Sequence, residues 1–288
     1  MSTQVTTAFV NQFSSNIQML SQQMGSLLRN AVDVESVNGE KAFFDQVGAA
    51  AAVLRTTRHS DTPLIDTPHS RRMVTMSDYE YADLIDDQDK VRMLVDPTST
   101  YSRAAAAAMG RAMDDVIITA ALGDSLTGKD GSTTTAFDTT NNQIAAGAAG
   151  LTLAKLIEAK EILDSGNVDP SIPRYIACSP KQVTDLLNNT TVTSSDYNTV
   201  KALAMGEINT FVGFKFIVSN RLGVDGSSDR RCFAWAEDGI KVAMGKEPTA
   251  RIDERADKSY ATQVYYCQTL GATRMEESKV VELLCVES

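Results

Sequence analysis

The stretch that comes nearest to a catalytic motif is a glycine and lysine pattern in the middle of the chain. Gly123, Gly128 and Lys129 have the spacing of a phosphate-binding P-loop, in which backbone N–H groups and the lysine hold a nucleotide. Asp130 stands where the motif needs a magnesium-binding Ser or Thr, and its carboxylate would repel phosphate. The stretch also follows a predicted helix, whereas the motif follows a strand. The sequence therefore argues against nucleotide binding.

Acidic side chains could instead bind a divalent cation. They are densest at four positions: Asp83, Asp86, Asp87 and Asp89. This stretch lacks the glycine and the closing glutamate of a calcium-binding loop. We interpret it as a solvated face or as a partner for arginines, and Arg71 and Arg72 are the candidate partners, either across strands or across subunits.

The remaining reactive side chains are histidines and cysteines. His59 and His69 lie in a segment of extended character, which is a poor support for the fixed geometry of a nucleophile relay. The four cysteines are Cys178, Cys232, Cys267 and Cys285. They are far apart in sequence and lie in apolar or aromatic stretches, so we expect free thiols and no metal site. We expect no enzymatic activity and no cofactor.

The composition limits the classes of protein further. The chain has 288 residues, of which 43% are hydrophobic and 22% charged, as is usual for a folded globular protein. The net charge of -10 argues against a whole-surface attraction for nucleic acid. No stretch is apolar enough to span a membrane, and no Lys or Arg precedes Arg29, so we expect neither a membrane span nor a signal peptide.

A single long helix is the strongest secondary-structure prediction. Asp96 is a suitable N-cap, Pro97 suits the first helical position, and Gly123 ends the pattern. A helix over 97–122 would be a rod of roughly 40 Å. Small residues from Ala104 to Ala108 should let neighbouring strands approach closely. The charged residues expected to face solvent or a neighbouring subunit are Arg103, Arg111, Asp114 and Asp115.

Near the N-terminus, apolar residues recur at helical spacing. They are Phe9, Phe13, Leu20, Met24 and Leu27. The pattern predicts an amphipathic helix with an almost uncharged polar face. Two interpretations stay open, since the helix could pack on its own domain or act as an arm that reaches a neighbouring subunit.

Residues 55–92 combine two prolines, alternating residue types and both signs of charge, which predicts an extended hairpin that is polar on both faces. Such a hairpin cannot bury enough apolar surface to be stable alone, so it should lie against something else.

The second half of the chain predicts a mixed α+β protein with two lobes. We expect a helix from Leu153 to about Gly166, a strand at 174–178, and a helix that Ser179 opens through a capping box with Gln182. A strand is predicted at 211–218. Four further strands follow, within CFAWAE, IKVAM, TQVYYCQTL and KVVELLCV, with the charged residues 251–258 as a connection.

The order of these parts resembles the major capsid protein of tailed bacteriophages, of the Hong Kong 97 type. The resemblance is carried by FVNQFSSNIQMLSQQMGSLLRN, DPTSTYSRAAAAAMGRAMDDVI, RYIACSPKQVTDLL and GEINTFVGFKFIVSNRL, and it covers nearly the whole chain. It implies an N-terminal arm at 1–48, an extended loop at 49–93, a peripheral domain at 94–150 and 246–288 with the long helix as its spine, and an axial domain at 151–245.

The resemblance also implies a structural function. Copies of the chain would assemble in the host cytoplasm into the hexamers and pentamers of an icosahedral virion shell. That shell would enclose double-stranded DNA without sequence-specific binding. A portal protein, and scaffolding or decoration proteins, would be the other partners. Two alternatives stay open: the shell of an encapsulin-like cellular nanocompartment, and a soluble oligomeric α+β enzyme.

Some shells of this family lock themselves with isopeptide bonds between a lysine of the extended loop and an asparagine of a neighbour. Residues 55–89 contain no lysine. Lys90 follows beside carboxylates that favour its protonated form, and arginine cannot replace it because arginine stays charged. We therefore expect a noncovalent shell, held by arm packing, strand pairing and ion pairs of Arg71 or Arg72 with the 83–89 carboxylates.

Overall fold

The computed structural model describes residues 21–59, 61–86, 98–188 and 210–287. These residues form three α-helices, which are α1 (Thr98–Leu122), α2 (Leu153–Ser165) and α3 (Pro180–Asn188). Their strands are β1 (Asp33–Ser36), β2 (Lys41–Val47), β3 (His69–Thr75), β4 (Ser77–Ile85), β5 (Ser125–Thr127), β6 (Thr133–Thr135), β7 (Gln143–Ile144), β8 (Arg174–Cys178), β9 (Thr210–Phe211), β10 (Phe214–Val218), β11 (Arg230–Ala236), β12 (Ile240–Arg255), β13 (Ala261–Arg274) and β14 (Val280–Cys285). The mixture of helices and sheets confirms the predicted α+β class.

The chain divides into two compact units. The smaller unit contains Asp78–Ala112, Lys246–Thr269 and the described residues up to Ser26. The larger unit contains Leu27–Ser77, Met113–Gly245 and the residues from Leu270 onwards. Helix α1 and strands β12 and β13 contribute residues to both units.

A six-stranded sheet forms the main core of the larger unit, in the order β7-β14-β11-β8-β10-β9. Its centre is apolar on both faces, as a sheet covered on both sides requires. Trp235 of β11 is fully buried between Tyr175 and Phe233, with ring centroids 5.8 and 4.8 Å away. The indole N–H donates to the carbonyl of Ala31 at 2.8 Å, which fastens the segment before β1 to this core.

Helix α2 forms where its apolar spacing predicts, with Thr152 as N-cap and Gly166 at its end. The three N–H donors of its buried Lys155 are shared among four backbone carbonyls that lie 2.7–3.0 Å from Nζ, those of Ala146, Ala149, Gly150 and Leu284. One ammonium thereby joins the 146–150 loop to strand β14, and these hydrogen bonds offset the cost of burying the charge.

Helix α3 begins at Pro180 as predicted, but the predicted capping box is wrong. The hydroxyl of Ser179 donates to the carboxylate of Glu287 at 2.6 Å. The side-chain amide of Gln182 is fully buried and accepts a hydrogen bond from the backbone N–H of Leu151 at 2.8 Å. Both polar groups are used by residues that are distant in sequence, which a local capping pattern cannot indicate.

In the smaller unit, the first part of α1 packs against β13. The hydroxyls of Ser102 and Tyr266 lie 2.8 Å apart, and the amide of Gln268 donates to the carbonyl of Met109 at 3.0 Å. Within its sheet β13 lies between β12 and β4, and Thr269 of β13 donates to Asp78 of β4 at 2.6 Å.

The predicted hairpin of residues 55–92 is wrong in its pairing. Strand β3 pairs with β2, from Lys41 opposite Thr75 to Val47 opposite His69, whereas β4 belongs to a different sheet. The projecting connection is therefore 48–68, between β2 and β3. A hydrogen bond from the N–H of Gly48 to the carbonyl of Pro68, at 2.8 Å, closes its base. Residue alternation identified the strand β3 but could not identify its partner.

Three other elements differ from the prediction. The described part of the predicted N-terminal helix, 21–28, is irregular, and Met24 and Leu27 are partly exposed there. The predicted strand 211–218 is a hairpin of β9 and β10, because Val212 and Gly213 both take positive φ angles of 54° and 87°, as in a type I′ turn. Strand β12 continues to Arg255, so most of the charged connection is a strand.

Residues 123–130, which have nearly the spacing of a P-loop, lead into a β-hairpin that offers no phosphate site. Residues Ser125–Thr127 and Thr133–Thr135 are the two strands of a hairpin, and the N–H of Gly131 bonds to the carbonyl of Gly128 at 3.3 Å in its turn. The glycines serve a tight turn between strands, with no helix to receive a phosphate after it.

Candidate interaction surfaces

Arg71 lies on the exposed side of the β2–β3 pair. It is opposite Asp45 in the register and makes two hydrogen bonds to that carboxylate, at 2.5 and 3.1 Å. These bonds hold the pKa of Asp45 below its ordinary value of 3.8. Arg71 thus has a partner in its own chain, while about two fifths of its side chain remains exposed.

Arg72 points to the opposite face and is buried. Its Nε donates to the carbonyl of Met275 at 2.8 Å, and its guanidinium lies 3.6 Å from Glu277. Burial lowers the pKa of Arg72 below its ordinary value, although a guanidinium stays charged at neutral pH. The expectation that Arg72 contacts another subunit is therefore corrected, since adjacent residues of a strand point to opposite faces.

The acidic stretch is only partly described. Asp83 accepts a hydrogen bond from the N–H of Leu84 at 2.9 Å, and Asp86 is exposed. Asp87 and Asp89 lie outside the described residues, as do Phe9, Phe13 and Leu20 of the predicted arm. No group of three metal-ligating side chains occurs within the described part of the chain.

The loop 48–68 carries large apolar side chains in water. Leu64 is fully exposed, and Leu54 is 83% exposed. Val53 and Ile65 are also exposed by about half. A monomeric protein rarely leaves such a group of side chains uncovered, and an exposed apolar group of this kind marks a contact with another molecule.

Within the smaller unit, a peptide segment crosses α1 at Gly110. A Cβ atom at Gly110 would lie 2.3 Å from the carbonyl carbon of Gly25 and 2.6 Å from the nitrogen of Ser26. Arg111 fixes the same segment, since it donates to the side chain of Gln22 at 2.9 Å and to the carbonyl of Gln23 at 3.1 Å. Arg111 therefore binds its own chain.

Within the larger unit, Asp114 is fully buried, which corrects the prediction that it faces outward. Its carboxylate accepts the backbone N–H groups of Leu27 and Leu28, at 3.0 and 3.1 Å. Asp115 forms an ion pair with Arg221 that is partly exposed. Helix α1 is thus a binding surface for residues 22–28 of the same chain.

The alanines of α1 divide by helical face. Ala105 and Ala107 are buried, Ala104 and Ala108 are half-buried, and Ala106 is exposed. Pro97, the predicted first residue, lies outside the described residues.

The end of α1 is held by an arginine that sequence reasoning missed. The guanidinium of the fully buried Arg274 donates to the carbonyls of Ala121 and Gly123, at 2.9 and 2.7 Å, and to Glu277 at 2.7 Å. A cation at this end of a helix satisfies orphan carbonyls and complements the helix dipole.

All four cysteines are free thiols. Cys178, Cys232 and Cys285 are fully buried on the neighbouring strands β8, β11 and β14. Burial raises the pKa of Cys178 to about 12, so this thiol stays protonated. Among the described helices, none is long and apolar enough to cross a membrane.

Comparisons with known proteins identify the same kind of protein from sequence and from structure. The family described as phage capsid protein matches residues 5–287. No curated protein matches the sequence.

Solved capsids have the same fold. The capsid of the cyanophage P-SCSP1u superposes with a TM-score of 0.76 at 18% identity, over 100% of this chain and 96% of that one. The capsid of Ralstonia phage GP4 superposes with a TM-score of 0.74 at 12% identity, over 98% of this chain and 96% of that one. The capsid of the Helicobacter pylori bacteriophage KHP30 superposes with a TM-score of 0.74 at 11% identity, over 99% of this chain and 97% of that one.

Proposed function

Because the chain belongs to the phage capsid protein family, we propose that its copies form the hexamers and pentamers of an icosahedral head around double-stranded DNA. The chain is a major capsid protein, which is a structural protein and not an enzyme, and its place is the capsid of the virion. The nanocompartment and enzyme alternatives are not favoured. Assembly in the host cytoplasm and contacts with a portal, scaffolding or decoration proteins belong to the proposal.

The observation that carries the proposal is the exposed apolar loop 48–68. The loop projects from the β2–β3 pair, and its leucines 54 and 64 have no cover from the rest of the described chain. Burying one such side chain against a neighbouring copy would contribute about 2 kcal/mol. Repeated at every contact of a shell, this term is large enough to drive association.

The domain division is also part of the proposal, as arm 1–48, extended loop 49–93, peripheral domain 94–150 and 246–288, and axial domain 151–245. Two pairings support a refinement. Strand β14 pairs with β11 inside the six-stranded sheet, which argues for adding 280–285 to the axial domain. Strand β3 pairs with β2, which argues for limiting the extended loop to 48–68 and its two supporting strands.

The inter-subunit residues of the proposal change accordingly. Arg71 stays a candidate, because its side chain is partly exposed, and Asp83 and Asp86 stay candidates for the same reason. The arm residues Phe9, Phe13, Leu20, Met24 and the acidic Asp87 stay proposed contacts. Arg72 is withdrawn.

The test replaces the two most exposed leucines of the described residues by aspartate. The double variant Leu54→Asp and Leu64→Asp should keep a native circular dichroism spectrum and yield no closed shells by negative-stain microscopy, since a charge cannot be buried in an apolar contact. The control is Ile157→Asp, which places one aspartate at a half-exposed apolar position of α2 and should still give shells.

Normal shells from the double variant would contradict the role of the loop. Sedimentation of the unchanged chain as a discrete dimer or tetramer, without rings or shells, would contradict the proposed function itself.

A further inference from the structure

The outer half of strand β12 has an open edge. Strand β1 pairs with β12 only from Lys241 to Met244, while β13 covers the other side. Beyond residue 244, no strand of the described chain occupies the β1 side. The side chains of 250–254 are exposed. A long open edge of this kind is a template for pairing with another strand.

The charges on this edge are arranged around one apolar residue. Arg251 and Asp253 flank Ile252, which is 49% exposed. Neither charge has an ion-pair partner among the described residues. The next arginine is already committed, because Arg255 binds Asp257 through two hydrogen bonds and Gln263 through a third.

From this pattern we infer that two copies of the chain pair edge to edge and antiparallel along 249–255, about a two-fold axis midway between their two Ile252 residues. In this register Ile252 lies opposite Ile252 of the second copy. Arg251 lies opposite Asp253, and Asp253 opposite Arg251. Opposite charges at facing positions stabilise an antiparallel pair, and in a two-fold interface each contact occurs twice.

The neighbouring registers are unfavourable. A two-fold axis normal to the sheet must lie midway between the two copies of one residue, because facing residues share one face of the sheet. An axis at Arg251 would place two arginines face to face, and an axis at Asp253 would place two aspartates face to face. An axis at Glu254 would oppose two glutamates.

The residues at both ends of 249–255 suit the end of a strand pairing. Pro248 has no N–H to donate, so a ladder that ends at 249 loses nothing there. At the other end the chain leaves the strand in a turn at Ala256–Lys258, where the N–H of Tyr260 bonds to the carbonyl of Arg255 at 3.0 Å.

The test uses disulfide cross-linking of assembled protein. All variants carry Cys267→Ser, because Cys267 is the one thiol of the described chain that is not buried. Ile252→Cys should give a disulfide-linked dimer on a non-reducing denaturing gel after oxidation, since facing residues of an antiparallel pair have Cα atoms within disulfide range.

The matched control is Glu254→Cys, an exposed position on the same strand face. Its Cα would lie roughly 14 Å from its symmetry copy, which is beyond disulfide range. We expect about tenfold less dimer from this control than from Ile252→Cys, because Cα atoms this far apart cannot be bridged without backbone movement.

Charge exchange tests the register. In the Ile252→Cys background, Arg251→Asp should reduce the dimer band at least about tenfold, as should Asp253→Arg, because each sets like charges face to face. The double exchange Arg251→Asp with Asp253→Arg restores opposite charges and should restore the band.

The inferred edge pairing rests on the proposed assembly of copies, but the experiment can disprove the pairing without disproving the assembly. Shells without an Ile252→Cys cross-link would overturn the edge pairing and leave the proposed function standing. Equal cross-linking by Glu254→Cys, or no rescue by the double exchange, would also overturn it.

Discussion

At the scale of single residues, the long-range partners of α1 decide what each side chain does. Gly110 appears in the sequence as a weak point of a helix, yet its missing side chain makes room for the backbone of Gly25. Arg111 and Asp114 look like surface charges, yet each binds the segment that crosses the helix. These partners lie 85–89 residues away in sequence, so no local pattern could indicate them.

Gly110→Ala should therefore destabilise the protein, although helix propensity alone would predict stabilisation. Alanine ordinarily stabilises a helix by about 1 kcal/mol relative to glycine. Here its methyl group would meet backbone atoms that cannot rotate away, so we expect a loss of about 1–3 kcal/mol. Thermal unfolding of the purified protein measures the effect. The control Ala106→Gly, on the exposed face of α1, should cost about 1 kcal/mol through propensity alone. An unchanged or raised Tm for Gly110→Ala would contradict the close crossing.

At the scale of elements, the spacing of apolar residues predicted the positions of helices and strands well, but it predicted the pairing of strands poorly. Helix α1, helix α2 and strands β8, β11, β13 and β14 lie where periodicity predicts them. The partner of β3 was misjudged because alternation marks a strand without stating its neighbour. The predicted strand 211–218 was misjudged because Val212 takes a positive φ, which a β-branched residue rarely adopts.

The C-terminus is fastened to α3 by a carboxylate whose ionisation can be tested. Arg230 lowers the pKa of Glu287 below 4.5, with help from the hydroxyl of Ser179. Since the pKa is depressed in the folded state, the contribution is present above pH 4.5 and is lost as the pH falls through the folded-state value.

Glu287→Gln should lower the free energy of unfolding by about 1–2 kcal/mol at neutral pH. The difference from the unchanged chain should shrink as the pH falls below about 4.5, as measured by Tm across a pH series. Glu161→Gln, at an exposed position of α2, is the control and should change Tm little at any pH. A difference that stays constant with pH would show that Glu287 acts by packing alone.

At the scale of the whole molecule, the order of parts identified the fold although individual motifs did not. A spine helix after an extended loop and before a two-layer lobe is a pattern of topology, and it persists at 11–18% identity to the solved capsids. Contact residues did not follow from it, because side-chain contacts between copies depend on local sequence that topology does not specify.

The shell should contain no covalent cross-links between subunits. The described part of the loop 48–68 holds no lysine, and its polar contacts are hydrogen bonds such as that of Arg55 to the carbonyl of Thr57. Boiled, reduced particles should run as a single monomer band on a denaturing gel. A ladder of dimers and larger species under reducing conditions would contradict this expectation.

The burial of Trp235 has a practical consequence. It is the only tryptophan of the chain, and its indole is hydrogen-bonded to Ala31 at the point where the N-terminal segment meets the six-stranded sheet. The chain therefore carries an intrinsic fluorophore at that junction. Its emission wavelength would shift to the red whenever the segment detached and admitted water, so the order of docking and assembly could be followed in real time without a label.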